Sequence, residues 1–231
     1  MKKLLLTVLF FLPTATSAAI AYDTSTAGGT ITATSPKTWT HTTSGDDRFL
    51  VVAVNQTGAG NITGVTYGGV SMTRASNEQA VTEAYVISMW YLKNPASGSN
   101  TVSVSFTAGS TNGASSSYTG VLGGYDTSAN GLDGTSPITG TLTTVNQAWM
   151  VMVTTDDGSN PSAGTGTTLL VNFQGGTSLF DSGATLSAGS NSLNATFTGG
   201  AGNGGYVVLS MTPVAAAVPV INRILSWFKW F

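Results

Sequence analysis

The chain has no cysteine and a single histidine, His41. The first absence excludes a disulfide framework and any thiolate metal site, so thiol usage says nothing about compartment. The second excludes metal centres built from several histidines and makes any histidine-based hydrolase run through His41. With Thr neighbours on an expected outer strand, His41 reads as a solvated side chain. Charge is also scarce: 8% of the residues are charged, against about a quarter in an average globular chain. Eight basic and ten acidic residues leave no basic stripe for nucleic acid. Outside the termini, no window of useful length repeats at the 3.6-residue period of an amphipathic helix. Solubility therefore falls to hydroxyls and amides.

What is present is β pattern. Glu83 to Thr107 reads as a hairpin. Its first arm, Tyr85 to Leu92, is apolar on nearly both faces, and its second alternates Val102, Val104 and Phe106 with Thr101, Ser103 and Ser105. Asn94-Pro95 and Ser97-Gly98 supply turn chemistry between them. Further strands are expected at 29–35, 38–41, 48–54, 62–67, 115–122, 138–145, 148–154, 168–173, 192–198 and 206–211, with a short continuation at 70–74. Residues 123–134 read as a loop. GSNTVSVSFT from Gly98 and GSNSLNATFT from Gly189 align without gaps, which makes an internal duplication one reading of the order. The other is coincidence between two similar hairpins. The fold class that follows is all-β: an antiparallel β-sandwich or jelly roll of about 10–12 strands in one domain over 22–214.

The termini differ from the rest. Residues 1–21 have the parts of a secretory signal helix: Lys2 and Lys3, an apolar run from Leu4 to Leu12, and small residues ending in Ala19-Ile20-Ala21. Cleavage near Ala21 is expected, with Ala18 or Ala19 as other ends. At 215–231 a short linker leads to an amphipathic aromatic helix. There Ile224, Trp227, Phe228, Trp230 and Phe231, beside basic residues, suit a membrane interface or a partner surface.

Candidate chemistry is thin. Asp126-x-Ser128-x-Asn130-Gly131 matches the opening of a calcium loop, but Pro137 stands where the closing carboxylate belongs, leaving Asp133 as the substitute. Calcium is thus the one cofactor the sequence raises, on Asp126, Ser128, Asn130 and Asp133. The doublets Asp46-Asp47 and Asp156-Asp157 sit in expected turns, which weakens them as a glycosidase pair. Trp39, Trp90 and Trp149 lie in apolar strands and read as core.

The stretches GVTYGGVSMTR (64–74), SMWYLKNPASGSNTVSVSF (88–106) and GGYVVLSMTP (204–213) resemble a group of bacterial and phage-associated secreted β-sandwich proteins. The likeness covers roughly residues 36–214. It implies a jelly-roll-like fold and an exported or surface setting, and it carries no site. The expected function is an exported, non-enzymatic surface or extracellular structural or adhesion module, with a cell-surface glycan or another surface protein as partner. A carbohydrate-binding, lectin-like domain is the alternative, and a glycoside hydrolase a remote third.

Overall fold

The structure is a computed structural model that describes residues 18–58, 60–76, 79–82, 85–156, 161–174, 176–198 and 204–213. Residues 1–17, most of the expected signal helix, and the tail after 213 lie outside the described residues. The chain forms β1 (Ala21–Ala27), β2 (Lys37–Thr43), β3 (Phe49–Thr57), β4 (Ile62–Tyr67), β5 (Val70–Ser71), β6 (Thr73–Arg74), β7 (Gln79–Thr82), β8 (Tyr85–Lys93) and β9 (Gly98–Phe106). It continues with β10 (Ser110–Thr119), β11 (Gly124–Asp133), β12 (Ile138–Thr144), β13 (Trp149–Thr155), β14 (Ser162–Ala163), β15 (Thr168–Gln174), β16 (Thr177–Asp181), β17 (Gly189–Thr196) and β18 (Gly204–Thr212). The fold is all-β and antiparallel, as the patterning predicts. It has eighteen strands among the described residues, more than the 10–12 expected, because three are only two residues long and because β7, β11 and β16 fall where no strand is expected.

The strands form four sheets: β1-β10-β3-β8-β6 with β7 beside β8, β2-β9-β4-β5, β11-β18-β13-β16-β15, and β12-β17-β14. Three layers of side chains join them. Leu50, Val52 and Val54 of β3 pack outward with Trp39, Val102 and Val104 of the β2-β9 sheet. Phe49, Val51 and Ala53 of the same strand pack inward with Val151, Val153, Leu179 and Leu209 of the second half. Met150, Met152 and Phe180 then pack with Leu142 and Leu193 of the β12-β17 sheet. The molecule is therefore a four-layer stack whose two inner sheets are covered on both faces. That explains why β3 from Phe49 to Val54 and β13 from Trp149 to Val153 are apolar without alternation. Burial of each such side chain stabilises the fold by about 1.5–3 kcal/mol.

The two halves repeat one topology. In the first, taking β1 to β5 and β8 to β10 as eight strands, the inner sheet runs first-eighth-third-sixth and the outer second-seventh-fourth-fifth, the jelly-roll order. The second half repeats this with β11-β18-β13-β16 and β12-β17-β14. Thr43 pairs with Gly98 and Thr144 with Gly189, so the two similar stretches occupy equivalent outer-strand positions. Side-chain bonds repeat as well. Asn100 Nδ2 donates to the carbonyls of Ala96 and Gly98, and Asn191 Nδ2 to those of Ser187 and Gly189. Phe106 N donates to Ser35 Oγ, and Phe197 N to Ser136 Oγ.

Several expectations need correction. Tyr85 to Leu92 and Thr101 to Phe106 are not a hairpin: β8 pairs with β3, β6 and β7, whereas β9 pairs with β2 and β4. The connection crosses between layers, because β8 needs cover on both faces and β9 on only one. Residues 123–134 are not a loop; they hold the edge strand β11, paired with β18. The first strand is β1 rather than 29–35, where one bridge, Thr32 to Thr111, is formed. Two glycines carry local geometry. Gly68 and Gly69 both take positive φ in the two-residue turn between β4 and β5, as a type I′ hairpin demands. Gly113 leaves room for the Trp39 ring: a Cβ there would stand 2.7 Å from Trp39 Cη2 and 2.8 Å from the Ala53 carbonyl.

Candidate functional site

At one edge of the central layer the strands line an open pocket of about 310 Å³, formed by Tyr22, Trp149, Thr168, Leu169, Leu170, Asp181 and Gly183. β1 brings Tyr22, which is 43% exposed at the rim, while Trp149 and Asp181 are buried. Asp181 Oδ2 accepts from Trp149 Nε1 (3.1 Å) and from Tyr118 OH (3.2 Å), and Oδ1 accepts from Gly183 N (2.9 Å). Tyr118 lies on β10 and Asp181 on β16, so this carboxylate ties the two inner sheets together. Burial pushes the Asp181 carboxyl above its usual value, against the downward pull of the Gly183, Trp149 and Tyr118 hydrogen bonds. Tyr118 is pushed well above the usual phenol value, first by burial and then by the Asp181 charge. The Tyr22 and Tyr118 rings meet edge-on at 6.1 Å, and the Tyr118 and Trp149 rings are tilted against each other at 5.9 Å. Tyr22, the one exposed ring, stands over a mostly apolar floor with one buried carboxylate, a surface on which a sugar ring can stack, and the volume is at the low end for ligand sites. One carboxylate does not make an acid/base pair for glycoside hydrolysis, and no second one lines this pocket.

His41 overturns its expected placement: it is 1% exposed, on the inward face of β2. Nδ1 lies 3.0 Å from Thr26 Oγ1, and Nε2 has no partner. Burial lowers its pKa to about 4, the nearby Asp23 charge acting in the opposite sense. Asp23 accepts from Ser44 and Ser117 instead of from the imidazole. Burial raises the Asp23 pKa and these bonds lower it, leaving it below the usual carboxylate value. The three residue types of a hydrolase relay are thus neighbours, yet the base is sequestered and bonded to a threonine, so no line runs from carboxylate through imidazole to serine.

The calcium candidates fall on β11. Asp126 accepts from Ser210 Oγ (3.1 Å), Ser128 Oγ donates to the Ala75 carbonyl (2.6 Å), and Asp133 Oδ1 accepts from Thr135 N and Oγ1. Asn130 pairs with Val207 in the ladder. An extended strand places Asp126 and Asp133 about 20 Å apart, where a loop would curl them together. Among the described residues no group of three or more acidic or histidine side chains converges on a metal position. Asp46 and Asp47 do lie in a turn, with Asp47 at positive φ. Asp156 is buried after β13, and Asp157 lies outside the described residues. Ile224, Trp227, Phe228, Trp230 and Phe231 are likewise outside them.

A second set of positions was not singled out from sequence. On the outer face of the β2-β9 sheet Thr38, Thr40, Thr42, Ser99, Thr101 and Ser105 are exposed. On the outer face of the β12-β17 sheet Thr141, Thr143, Ser190 and Ser192 are exposed. Thr141 and Ser192 share a hydrogen bond of 2.7 Å, and Thr139 Oγ1 donates to Asn194 Oδ1 (2.9 Å). These faces form the two ends of the stack and carry hydroxyls and amides without charge. The Thr-x-Thr-x-Thr runs at Thr38 and Thr139 were the available signal.

No family profile matches the chain, and no curated protein or solved structure matches it.

Proposed function

We propose that the chain is an exported, non-enzymatic surface or extracellular module of structural or adhesive kind that meets glycans through its outer sheets. The observation that carries this reading is the pair of exposed, uncharged hydroxyl faces at opposite ends of one stack of sheets. Such faces exchange hydrogen bonds with polyols without desolvating a charge, and two of them let one molecule touch two surfaces. The signal-like segment before Ala21 and the likeness to secreted β-sandwich proteins support export. The tail from Ile224 to Phe231 would then hold the module at a membrane interface or a partner. A glycan array probed with the mature protein tests the reading; a blank across plant, bacterial and host sugars would count against it. Deleting residues 221–231 and fractionating cells tests the tail, where unchanged surface retention would remove the anchor role.

The lectin-like alternative is favoured by the pocket at Tyr22, Trp149 and Asp181. There the discriminating variant is Tyr22→Ala, which should weaken binding of a monosaccharide while leaving attachment through the outer faces intact.

A further inference from the structure

Ile20 is 3% exposed and belongs to the central core cluster that also holds Tyr118, Val121 and Trp149. A leader cut after Ala21 would discard it. We infer that the leader is removed on the amino side of Ala19, so that Ala19, Ile20 and Ala21 remain in the mature chain; this rests on the export reading.

Three features place the boundary. Ala21 pairs with Thr119 as the first rung of β1 against β10. Ahead of it the chain is seated against the turn that follows β10: a Cβ on Gly120 would stand 2.4 Å from the Ala19 carbonyl oxygen. The third feature is charge. Cleavage creates an α-ammonium, which is strongly disfavoured when buried without a partner. Ala18, Ala19, Ala21 and Tyr22 are exposed and Ile20 is buried, so charge disfavours a terminus at Ile20, while a start at Ala21 or Tyr22 is disfavoured by the loss of Ile20 from the core. Cuts after Ser17 or Ala18 both leave small residues at the positions a signal peptidase reads, Ala15 with Ser17 or Thr16 with Ala18. The peptidase acts on the unfolded chain, so the fold does not direct the cut; it determines which product keeps its core complete. The boundary also bears on the pocket, because Tyr22 is its exposed wall. With Ile20 retained, Tyr22 sits within an anchored strand; without it, Tyr22 is a terminal residue free to fray.

The test is the intact mass of the exported product when the full chain is made in a bacterial host with a secretion pathway. The expected first residue is Ala18 or Ala19. An exported product beginning at Tyr22 would overturn the inference and leave the export reading standing, whereas a chain found only uncut inside the cell would overturn both. A second comparison isolates the reason. Of two chains made directly, one starting at Ala19 and one at Tyr22, each behind an initiator methionine, the shorter should melt at least about 5 °C lower. Equal melting would mean that Ile20 does not hold β1 in place.

Discussion

His41 and Leu142 occupy equivalent positions in the two halves, His41 opposite Asn100 and Leu142 opposite Asn191. One half thus carries an ionisable group where the other carries an apolar one. Because folding lowers the His41 pKa from 6.5 to about 4, the unfolded chain binds its proton more readily. The associated stability is complete above pH 6.5 and is lost as pH falls toward 4, amounting to roughly 3 kcal/mol. Asp23, held below its usual value, works in the same sense at lower pH, its contribution being present above 3.8 and lost below. Asp181 is raised, so its penalty is relieved as pH falls through its folded value. His41→Leu should therefore flatten the stability profile between pH 6.5 and 4, followed by urea unfolding at several pH values. Parallel decline of variant and wild type would show that His41 is not the group responsible. Tyr118→Phe removes one donor from the Asp181 carboxylate while keeping the ring, and should cost about 1.5–3 kcal/mol by denaturant midpoint. A neutral effect would mean that the inner sheets are not tied at this point. The burial of His41 was partly legible, since it shares a face with Trp39, which reads as core, but its Thr neighbours and ionisable ring argued for solvent. Alternation along Lys37–Thr43 puts the odd-numbered positions on one face, and Trp39 marks that face as the inward one.

At the scale of elements, the information that separates β8 from β9 was present in the chain. A strand apolar on both faces fits the middle of an inner, doubly covered sheet, and a strand apolar at alternate positions fits an outer one. Reading them as partners followed from the short Pro/Gly connection, which serves a layer crossing as well as a hairpin. β11 was hidden because Asp126, Ser128, Asn130 and Gly131 are turn-forming residues; its pairing with β18 overrides that local preference. The packing of Trp39 on Gly113 gives the element-scale prediction. Gly113→Ala brings a Cβ against the Trp39 ring and the Ala53 carbonyl, of which the backbone carbonyl cannot swing aside. We expect a loss of about 1–3 kcal/mol, measured by thermal unfolding, and an unchanged melting temperature would show that the ring is not seated there.

At the scale of the molecule, two jelly rolls packed through a largely apolar central layer carry like chemistry at both ends. The repeat was visible in the sequence at Gly98 and Gly189, but the stacking was not, since sheet-on-sheet contact depends on long-range packing that period and composition do not encode. The glycan reading turns on those two ends acting together. The most direct measurement is agglutination of polysaccharide-coated beads by the mature protein, its Thr40→Lys and Thr141→Lys variants, and the double variant. Exposed substitutions of this kind should change stability by no more than about 0.5 kcal/mol. Wild type should bridge beads, each single variant should bind beads without bridging them, and the double variant should do neither. Agglutination by the double variant at the wild-type level, or wild type that binds no bead, would contradict the account.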